Sequence, residues 1–246
     1  MTIENIHLQR TSIRARVKEG KGFPYDLLRR IHSSVHAIDI PIPMVICRVI
    51  WRMVRATLNA YYWIKSTFWV TPLFKGLCST VGTNFKAGTF VPFVVGTGAI
   101  HLGDHVKFYG KQTFLFAAIK DAIPEIRIGD NTGFGHNTVF DIAGKLTIGR
   151  HCMIASNVMF QDCSGHSIVA DIRAADTPPT EKDVKEISVG DNVWIGTGAY
   201  ILPGAVIGDN CVIAANIAVS RKIPNNSLVY APGPKIVEIR DISRMA

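Results

Sequence analysis

The chain has 246 residues, of which 48% are apolar and 19% charged, and it carries a formal net charge of +8. This length allows one large domain, or one domain with an appended segment. Residues 1–86 hold 13 Lys and Arg against four Asp and Glu, whereas residues 87–246 hold 14 against 15. The basic residues form no compact patch with stacking aromatics, which argues against nucleic acid as a partner.

The amino-terminal stretch MTIENIHLQRTSIRARVKEG lacks the apolar core of a secretory signal. The cysteines are scattered without a CxxC pair, which fits a reducing compartment. They are Cys47, Cys78, Cys152, Cys163 and Cys211. Together these features predict a cytoplasmic protein. The basic residues of this stretch either attract anionic lipid or form a solvated tail.

The next segment, MVICRVIWRMVRATLNAYYWIKSTFWV, is predicted to be helical. Polar side chains recur along one face at Arg48, Arg52, Arg55, Asn59 and Ser66, and the other faces are apolar. No uncharged run approaches the roughly 18 residues of a membrane-spanning helix. The helix therefore either lies in a membrane interface on the cytoplasmic side, or packs on the coil described below or on a neighbouring subunit.

Further along, a branched aliphatic or aromatic residue recurs at every sixth position. The clearest series is Val189, Ile195, Ile201, Ile207, Ile213 and Val219. The same spacing links Ile128, Phe134 and Phe140, restarts two residues late at Ile148, Ile154 and Phe160, and leaves a weak trace around Leu102. This period is neither the 3.6 of an amphipathic helix nor the alternation of a two-faced strand.

A six-residue period fits a coil with three short flat faces, in which every sixth residue points to the axis. The GDN and GDH tripeptides suit the corners, because Gly and Asn tolerate a left-handed backbone and Asp bonds local amides. Three sixes make one turn, and stacked turns bury a continuous apolar ladder. The pattern predicts an all-β solenoid, a parallel β-helix; a β-sandwich seldom keeps such strict spacing over six repeats.

The run VGDNVWIGTGAYILPGAVIGDNCVIAANIAVSRKIPNNSL resembles the hexapeptide-repeat acyltransferases, and among them the sugar O-acetyltransferases of surface-polysaccharide biosynthesis. The resemblance covers roughly residues 128–240, and WIG, PG, IGDN and IPNNSL fall in the family's order. It implies a left-handed β-helix, acetyl-CoA as the acyl donor and a sugar hydroxyl as the acceptor. It further implies a homotrimer whose sites lie between two subunits.

The period stops at FQDCSGHSIVADIRAAD, and residues 161–187 are predicted to form a long loop containing His166. Loops that leave a rigid scaffold often carry function. An imidazole titrates near neutral pH, as a general base for an attacking hydroxyl requires. The family resemblance places a catalytic histidine in such a loop, in a D-x-x-x-H setting that QDCSGHSI matches. His166 is therefore the predicted general base.

Two neighbours of this histidine have alternative interpretations. Asp162 either orients the imidazole or forms the turn from strand to loop. Cys163 is a conceivable covalent nucleophile beside His166. The family transfers acetyl groups directly and buried thiols are commonly inert, so we predict no covalent role for Cys163.

The resemblance also assigns the binding residues. It implies cofactor contacts at small corner residues and at basic residues near the end of the repeats: Gly196, Thr197, Ala214, Ala215, Ser220, Arg221 and Lys235. Small residues are equally required by the corners themselves. Lys222 stands where the family often has Asp, and YAPGPKIV departs from the family's pattern around Lys235. Asn137 and Asp141 are implied to contact the acceptor sugar, because carboxylates accept hydrogen bonds strongly.

Other functions fit the same fold. A zinc-dependent γ-type carbonic anhydrase needs three histidine ligands; the candidates are His101, His105, His136, His151 and His166, and they lack that family's H-x4-H spacing. A non-catalytic scaffold needs the coil but not His166, Arg221 and the loop together. An acyltransferase with another acyl donor, or with an amino sugar as acceptor, is a third alternative. No metal is expected for the transferase.

The domain organisation follows from these patterns. Residues 1–86 are predicted to form a basic, partly helical segment, residues 87–240 the β-helix with its active-site loop at 161–187, and residues 241–246 a tail.

Overall fold

The computed structural model describes residues 25–27, 30, 42–117, 119, 122–167 and 169–231. The chain divides into two compact units, Met1–Ala56 and Thr57–Ala246. Lys235 and the predicted tail lie outside the described residues, as does the whole of the amino-terminal stretch at residues 1–20.

The helical segment is continuous in sequence. Helix α1 spans Met44–Lys65, a π-helical turn spans Ser66–Val70, and helix α2 spans Thr71–Leu77. No residue of α1 is buried. By contrast, Phe74 of α2 is buried, with its ring 5.0 Å from that of Phe108 and 5.2 Å from that of Phe85. Helix α2 thus covers the apolar end of the coil that follows it.

The strands form three parallel sheets. Sheet A contains β1 (Thr80–Val81), β3 (Ala99–Leu102), β6 (Glu125–Ile128), β9 (Lys145–Ile148), β12 (Ile187–Val189), β15 (Val206–Ile207) and β18 (Lys222–Ile223). Sheet B contains β4 (Lys107–Phe108), β7 (Gly133–Phe134), β10 (Met153–Ile154), β13 (Trp194–Ile195), β16 (Val212–Ile213) and β19 (Leu228–Val229). Sheet C contains β2 (Phe93–Val95), β5 (Gln112–Phe116), β8 (Thr138–Ile142), β11 (Met159–Gln161), β14 (Tyr200–Ile201) and β17 (Ala218–Val219).

Successive strands visit the three sheets in turn, so the chain winds as a triangular coil. Each strand pairs with the strand one turn later, as Val189 does with Ile207 and Ile201 with Val219. These partners are 18 residues apart, which is three sixes. The predicted parallel β-helix is therefore confirmed.

Every residue of the predicted six-residue series is buried. In the earlier coils the ladder is aromatic: the ring of Phe140 stacks on that of Phe114 at 4.8 Å and on that of Phe160 at 5.6 Å. Because each aromatic ring buries a large apolar area, these phenylalanines contribute most of the apolar surface buried inside the narrow coil.

The corners use the predicted residues. Asn131, Asn192 and Asn210 of the GDN tripeptides have φ between 56° and 58°, and His105 of GDH has φ 58°. Asn192 Nδ2 donates to Asn210 Oδ1 at 2.9 Å, so side chains of neighbouring turns bond along the corner. Asn accepts this left-handed conformation because its short polar side chain bonds locally.

Two details of the sequence interpretation need adjustment. Thr80 and Val81 already pair with β3, so the coil begins before residue 87. The inward residues Phe140 and Ile148 are eight residues apart instead of six. The turn between them, at Ala143 and Gly144, connects β8 to β9.

The outer faces of the three sheets differ. On sheet A, Glu125 pairs with Arg127 and lies 3.8 Å from Lys145 Nζ. Sheets B and C instead expose large apolar side chains, including Met153 (68% exposed), Trp194 (55%) and Tyr200 (50%). Sheet A is a solvated face, and the other two carry apolar surface.

Candidate active site

Most predicted site residues that the structure describes lie on sheet C or at its two edges. We call the turns from sheet B to sheet C the BC corner, and those from sheet C to sheet A the CA corner. The BC corner holds Asn137, Gly196, Thr197, Ala214 and Ala215, whereas the CA corner holds Asp162, Ser220, Arg221 and the start of the loop with His166.

Asp141 lies on the outer side of β8 and is partly buried. Its Oδ2 accepts a hydrogen bond from Gln161 Nε2 at 3.1 Å, and the two residues are partners in the sheet. Burial raises the pKa of the Asp141 carboxyl above its usual range, and the Gln161 bond partly offsets that rise. Asn137 is four residues away, about 13 Å along an extended strand.

Asp162 anchors the loop to the coil. Its side chain is fully buried, and its two oxygens accept the Ala143 and Gly144 amides, each at 2.7 Å. Its backbone carbonyl accepts the Lys185 amide at 2.9 Å, so both ends of the loop meet at this residue. Burial raises the pKa of Asp162, and the backbone bonds oppose the rise.

These contacts bear on the two interpretations of Asp162. No hydrogen bond joins its carboxylate to the His166 ring among the bonds formed by described residues. The Asp162 carboxylate instead packs closely against the turn at Gly144. A Cβ on Gly144 would meet Val184 Cγ1 at 2.6 Å and Asp162 Oδ2 at 3.3 Å. The geometry therefore favours the turn-forming role.

His166 is exposed, four residues beyond this anchor. Its carbonyl accepts the Ser164 hydroxyl at 3.2 Å, and Gly165 turns the chain with φ 76°. Within the described part of the loop, the His166 ring makes no hydrogen bond and is open to a substrate. Farther on, a short helix α3 spans Ala170–Ala174 and a 3-10 turn spans Glu181–Asp183.

Cys163 lies beneath the loop. It is 6% exposed and clusters with Ile119, Ala143 and Val184. Burial raises the pKa of its thiol, which disfavours the nucleophilic thiolate. This supports the prediction that Cys163 has no covalent role.

The BC corner brings its predicted residues into neighbouring turns. The Asn216 amide donates to the Thr197 carbonyl at 2.9 Å. Gly196 is required by this packing, because a Cβ there would lie 2.6 Å from the Ala215 amide nitrogen. Thr197 and Ala215 are exposed and leave a shallow surface without bulky side chains.

At the CA corner, Ser220 and Arg221 join β17 to β18 and are both exposed. No ion pair within the described residues involves Arg221. Its guanidinium is therefore available to an anion.

Comparison with known proteins identifies the repeat. Residues 186–216 match the family model described as bacterial transferase hexapeptide (six repeats). These residues thus contain a hexapeptide repeat. The match overlaps the predicted series of Val189 to Val219 and confirms the repeat that the resemblance indicated.

Named relatives of this chain include sugar acetyltransferases. It is 36% identical to the galactoside O-acetyltransferase of Escherichia coli over 118 residues, which is 48% of this chain and 55% of that protein. It is 31% identical to WbbJ of Escherichia coli, provisionally named an O-acetyl transferase of lipopolysaccharide biosynthesis, over 38% of this chain and 50% of that protein. The chain thus spans about half the length of the curated relatives it matches.

A solved structure has the same fold. AntD, an N-acyltransferase from Bacillus cereus in complex with dTDP and 3-hydroxybutyryl-CoA, superposes with a TM-score of 0.51 at 16% identity. The match covers 68% of this chain and 86% of AntD. The chain has the predicted left-handed parallel β-helix fold.

The carbonic anhydrase alternative requires a cluster of metal ligands. Among the described residues, no group of three or more His, Cys, Asp or Glu is arranged to hold a metal ion. His101 instead lies 3.4 Å from Glu125 on sheet A, and His136 lies at the BC corner. The zinc alternative gains no support from this geometry.

Two features were missed in the sequence. The first is the contact between Asp141 and Gln161. Each of these residues directly follows an inward residue, Phe140 or Phe160, of successive turns. The spacing of the inward residues was therefore enough to predict that Asp141 and Gln161 are partners in sheet C. A cavity on the outer face of sheet B, beside Trp194 and Gly133, was also not anticipated. The sequence feature that could have indicated this cavity is Gly133, which precedes the inward Phe134. The other strands of sheet B have a residue with a side chain at that position.

Proposed function

We propose that the protein transfers an acetyl group from acetyl-CoA to a hydroxyl of a sugar in a glycan or lipid-linked saccharide. The observation that carries this proposal is the exposed His166 on a loop whose base is tied to β8, the strand that bears Asp141. The named sugar O-acetyltransferases among the relatives support the same reaction class. An amino sugar acceptor or a different acyl donor is the alternative that the test below separates.

His166 acts as the general base in this proposal. Its imidazole accepts the proton of the acceptor hydroxyl while the hydroxyl oxygen attacks the thioester carbonyl. The carbon–sulfur bond breaks, the acyl group stays on the sugar oxygen, and the imidazolium returns its proton to the departing thiolate. The products are the sugar ester and free CoA, so one histidine serves both half-reactions.

Asp141 and Asn137 hold the acceptor in this scheme. A carboxylate accepts two sugar hydroxyl protons, and Gln161 fixes one Asp141 oxygen at 3.1 Å. Asp162 acts as a positioning residue, because its two backbone bonds determine where the loop leaves the coil.

The donor is proposed to lie along the BC corner. The exposed Thr197 and Ala215, with Gly196 and Ala214 beside them, leave room for a thin pantetheine arm near backbone amides. Ser220, Arg221 and Lys235 are proposed to meet the phosphates, and Lys235 lies outside the described residues. Arg suits this task because its guanidinium binds phosphate oxygens in pairs.

We infer that the protein is a homotrimer with each site between two subunits. The BC corner and the loop of one chain stand on opposite edges of sheet C, separated by about 13 Å of strand. A neighbouring chain that supplies the second edge would bring them together. The exposed apolar side chains of sheets B and C favour such a closed assembly.

Arg221→Gln is expected to raise the KM for acetyl-CoA about tenfold while leaving kcat nearly unchanged, because a phosphate contact contributes equally to ground and transition states. The measurement is thiol release from acetyl-CoA, compared with a longer acyl-CoA, with a panel of sugars and amino sugars as acceptors. Lys222→Gln, which removes the adjacent cation, is the matched control and should have a smaller effect. An unchanged KM in Arg221→Gln would contradict its assignment, and no acceptor-dependent thiol release would contradict the proposed reaction.

We further propose that residues 1–86 contact the cytoplasmic face of a membrane. No helix among the described residues is long and apolar enough to span a bilayer. Helix α1 nevertheless exposes Trp51, Met53 and Trp63 together with its arginines. No Asp or Glu occurs between residues 40 and 103, so this surface is uniformly cationic. Packing of α1 on another subunit is the competing outcome.

The triple variant Arg48→Gln, Arg52→Gln, Arg55→Gln should lose most binding to anionic vesicles, since each cation near such a surface contributes about 1 kcal/mol. Co-sedimentation with phosphatidylserine vesicles, compared with phosphatidylcholine vesicles, provides the measurement. Removal of Arg127, Lys145 and Lys222 from sheet A is the control with equal charge change. Binding that ignores salt and lipid charge, or that fails in the unaltered protein, would refute the membrane contact.

A further inference from the structure

The first turn of sheet C exposes apolar side chains at the edge of the sheet. Strand β2 is the edge strand, and its outward side chains Phe93 and Val95 are 52% and 49% exposed. Val91, just before β2, is 49% exposed as well. The partner of Val95 on the next strand is Leu115, which is partly buried. We call Val91, Phe93, Val95 and Leu115 the first-turn strip.

The first-turn strip lies in register with the proposed acceptor site. Val95 pairs with Leu115, and Leu115 pairs with Asp141. Paired residues of parallel strands point to the same face of the sheet, so these three side chains form one row across the outside of sheet C. Val95 and Asp141 are two strand spacings apart, which is about 10 Å. A substrate of this length or more can contact both.

One cation lies between the strip and the acceptor residues. The Lys111 ammonium is 5.9 Å from the centre of the Phe93 ring. The Lys111 carbonyl accepts the Asn137 amide at 2.8 Å, so this lysine is next to a proposed acceptor contact. Lys111 is exposed and forms no ion pair with any described residue. Its charge is thus left to an external anion.

The combination of an apolar edge and one cation indicates what covers it. Exposed apolar side chains on an edge strand promote association with another molecule. A second copy of the chain on the strip would also bury the Lys111 charge, which costs free energy unless an anion compensates it. A lipid tail joined to a phosphate covers the apolar side chains and supplies the compensating charge in one molecule.

We propose that the acceptor saccharide carries a lipid tail through a phosphate linkage, and that the tail lies on the first-turn strip. The sugar is held at Asn137 and Asp141, and the phosphate by Lys111. Burial of the tail on the strip supplies affinity, and the contact between ammonium and phosphate fixes the position of the junction. This inference rests on the proposed acetyl transfer and assigns its substrate class, a lipid-linked saccharide instead of a free sugar.

Isothermal titration calorimetry of the full chain tests the strip without any sugar. The probes are geranyl phosphate, geraniol and inorganic phosphate. Geranyl phosphate should bind roughly 10- to 100-fold more tightly than geraniol, as expected for one hydrogen bond to a charged group. Inorganic phosphate lacks the tail and should not bind measurably at the same concentrations.

Leu115→Gln should weaken the binding of geranyl phosphate about tenfold, because the tail loses an apolar contact. Leu228→Gln is the matched control, since it makes the same change at an exposed leucine of sheet B. Val95→Gln, at an exposed position, is the second variant if Leu115→Gln fails to fold. Lys111→Gln should remove the preference for geranyl phosphate over geraniol. The triple arginine variant of helix α1 described above should bind geranyl phosphate normally, which separates the strip from that helix.

Acetyl transfer tests whether the tail belongs to the substrate. Octyl β-galactoside should have a KM about tenfold below that of methyl β-galactoside, because only the octyl chain reaches the strip. Leu115→Gln should reduce this difference and leave kcat for the methyl glycoside nearly unchanged.

Three results would overturn the proposal. Geranyl phosphate that does not bind, or that binds Leu115→Gln and Val95→Gln as tightly as the unaltered protein, would remove the strip as a lipid site. Equal KM values for the two galactosides would remove the tail from the substrate. Dissociation of an oligomer in Leu115→Gln or Val95→Gln, measured by analytical ultracentrifugation, would show that a second copy of the chain covers the strip.

Failure of the proposed reaction has a different signature. Acetyl transfer that survives in His166→Ala would contradict the proposed general base, whereas His166→Ala should bind geranyl phosphate as the unaltered protein does. Transfer that depends on His166, in a protein that does not bind geranyl phosphate, would contradict the lipid tail alone.

Discussion

Replacing His166 by alanine is expected to lower kcat for acetyl transfer about 100- to 10,000-fold, the usual contribution of a positioned general base. The KM for acetyl-CoA should change little, because the donor is bound at the corners and not by the imidazole. Stability should also be unaffected, since the His166 ring is exposed and makes no hydrogen bond among the described residues. Steady-state kinetics with denaturant unfolding of the same sample measures both quantities.

Lys182→Ala provides the matched control, because Lys182 is an exposed residue of the same loop. It should retain near-normal kcat. If His166→Ala folded normally and kept its kcat, the general base would have to be another group. A His166→Ala protein that lost stability as well would indicate a structural role instead.

Asp162→Asn is expected to reduce the free energy of unfolding by about 1–3 kcal/mol, since a buried amide group then faces two backbone N–H donors and cannot accept from both. The same change should lower kcat by up to about 100-fold, because a displacement of the loop base misplaces His166. Urea unfolding and the pH profile of kcat/KM are the measurements. The part of the pH profile that reports protonation of His166 should lie at the same pH in Asp162→Asn as in the unaltered protein. This is expected if Asp162 only positions the loop.

Asp183→Asn makes the same chemical change at an exposed carboxylate of the loop, which accepts the Thr180 amide at 2.7 Å and the Thr180 hydroxyl at 2.8 Å. Its effect on stability should be below that of Asp162→Asn. A shift of the histidine limb in Asp162→Asn, without loss of stability, would instead support a direct interaction between Asp162 and the imidazole.

The fold was predictable because one apolar residue in six must point inward wherever the coil continues. Val189 to Val219 obey this rule without a break, and the buried positions followed directly. The first two turns were hard to recognise because their inward residues are partly aromatic, such as Phe108 and Phe114, and turn lengths vary. The start of the coil was therefore predicted too late, although Thr80 already pairs with His101.

The site was predictable only in part. The loop was visible as a break in the period, and the register would have paired Asp141 with Gln161. The sequence could not distinguish the two roles of Asp162. The distinction depends on hydrogen bonds from the amides of Ala143 and Gly144, which are 19 and 18 residues earlier in the chain. The cavity at Gly133 could not be predicted either, since the sequence does not show whether backbone packing requires a glycine at that position.

The central claim is that the His166 imidazole of one subunit and a thioester held along the BC corner meet in one site. A crystal structure of the protein with CoA tests this most directly. The account predicts the CoA sulfur within about 4 Å of a His166 ring nitrogen, a distance that proton return to the thiolate requires. CoA bound in full occupancy with its sulfur far from every His166 ring would contradict it.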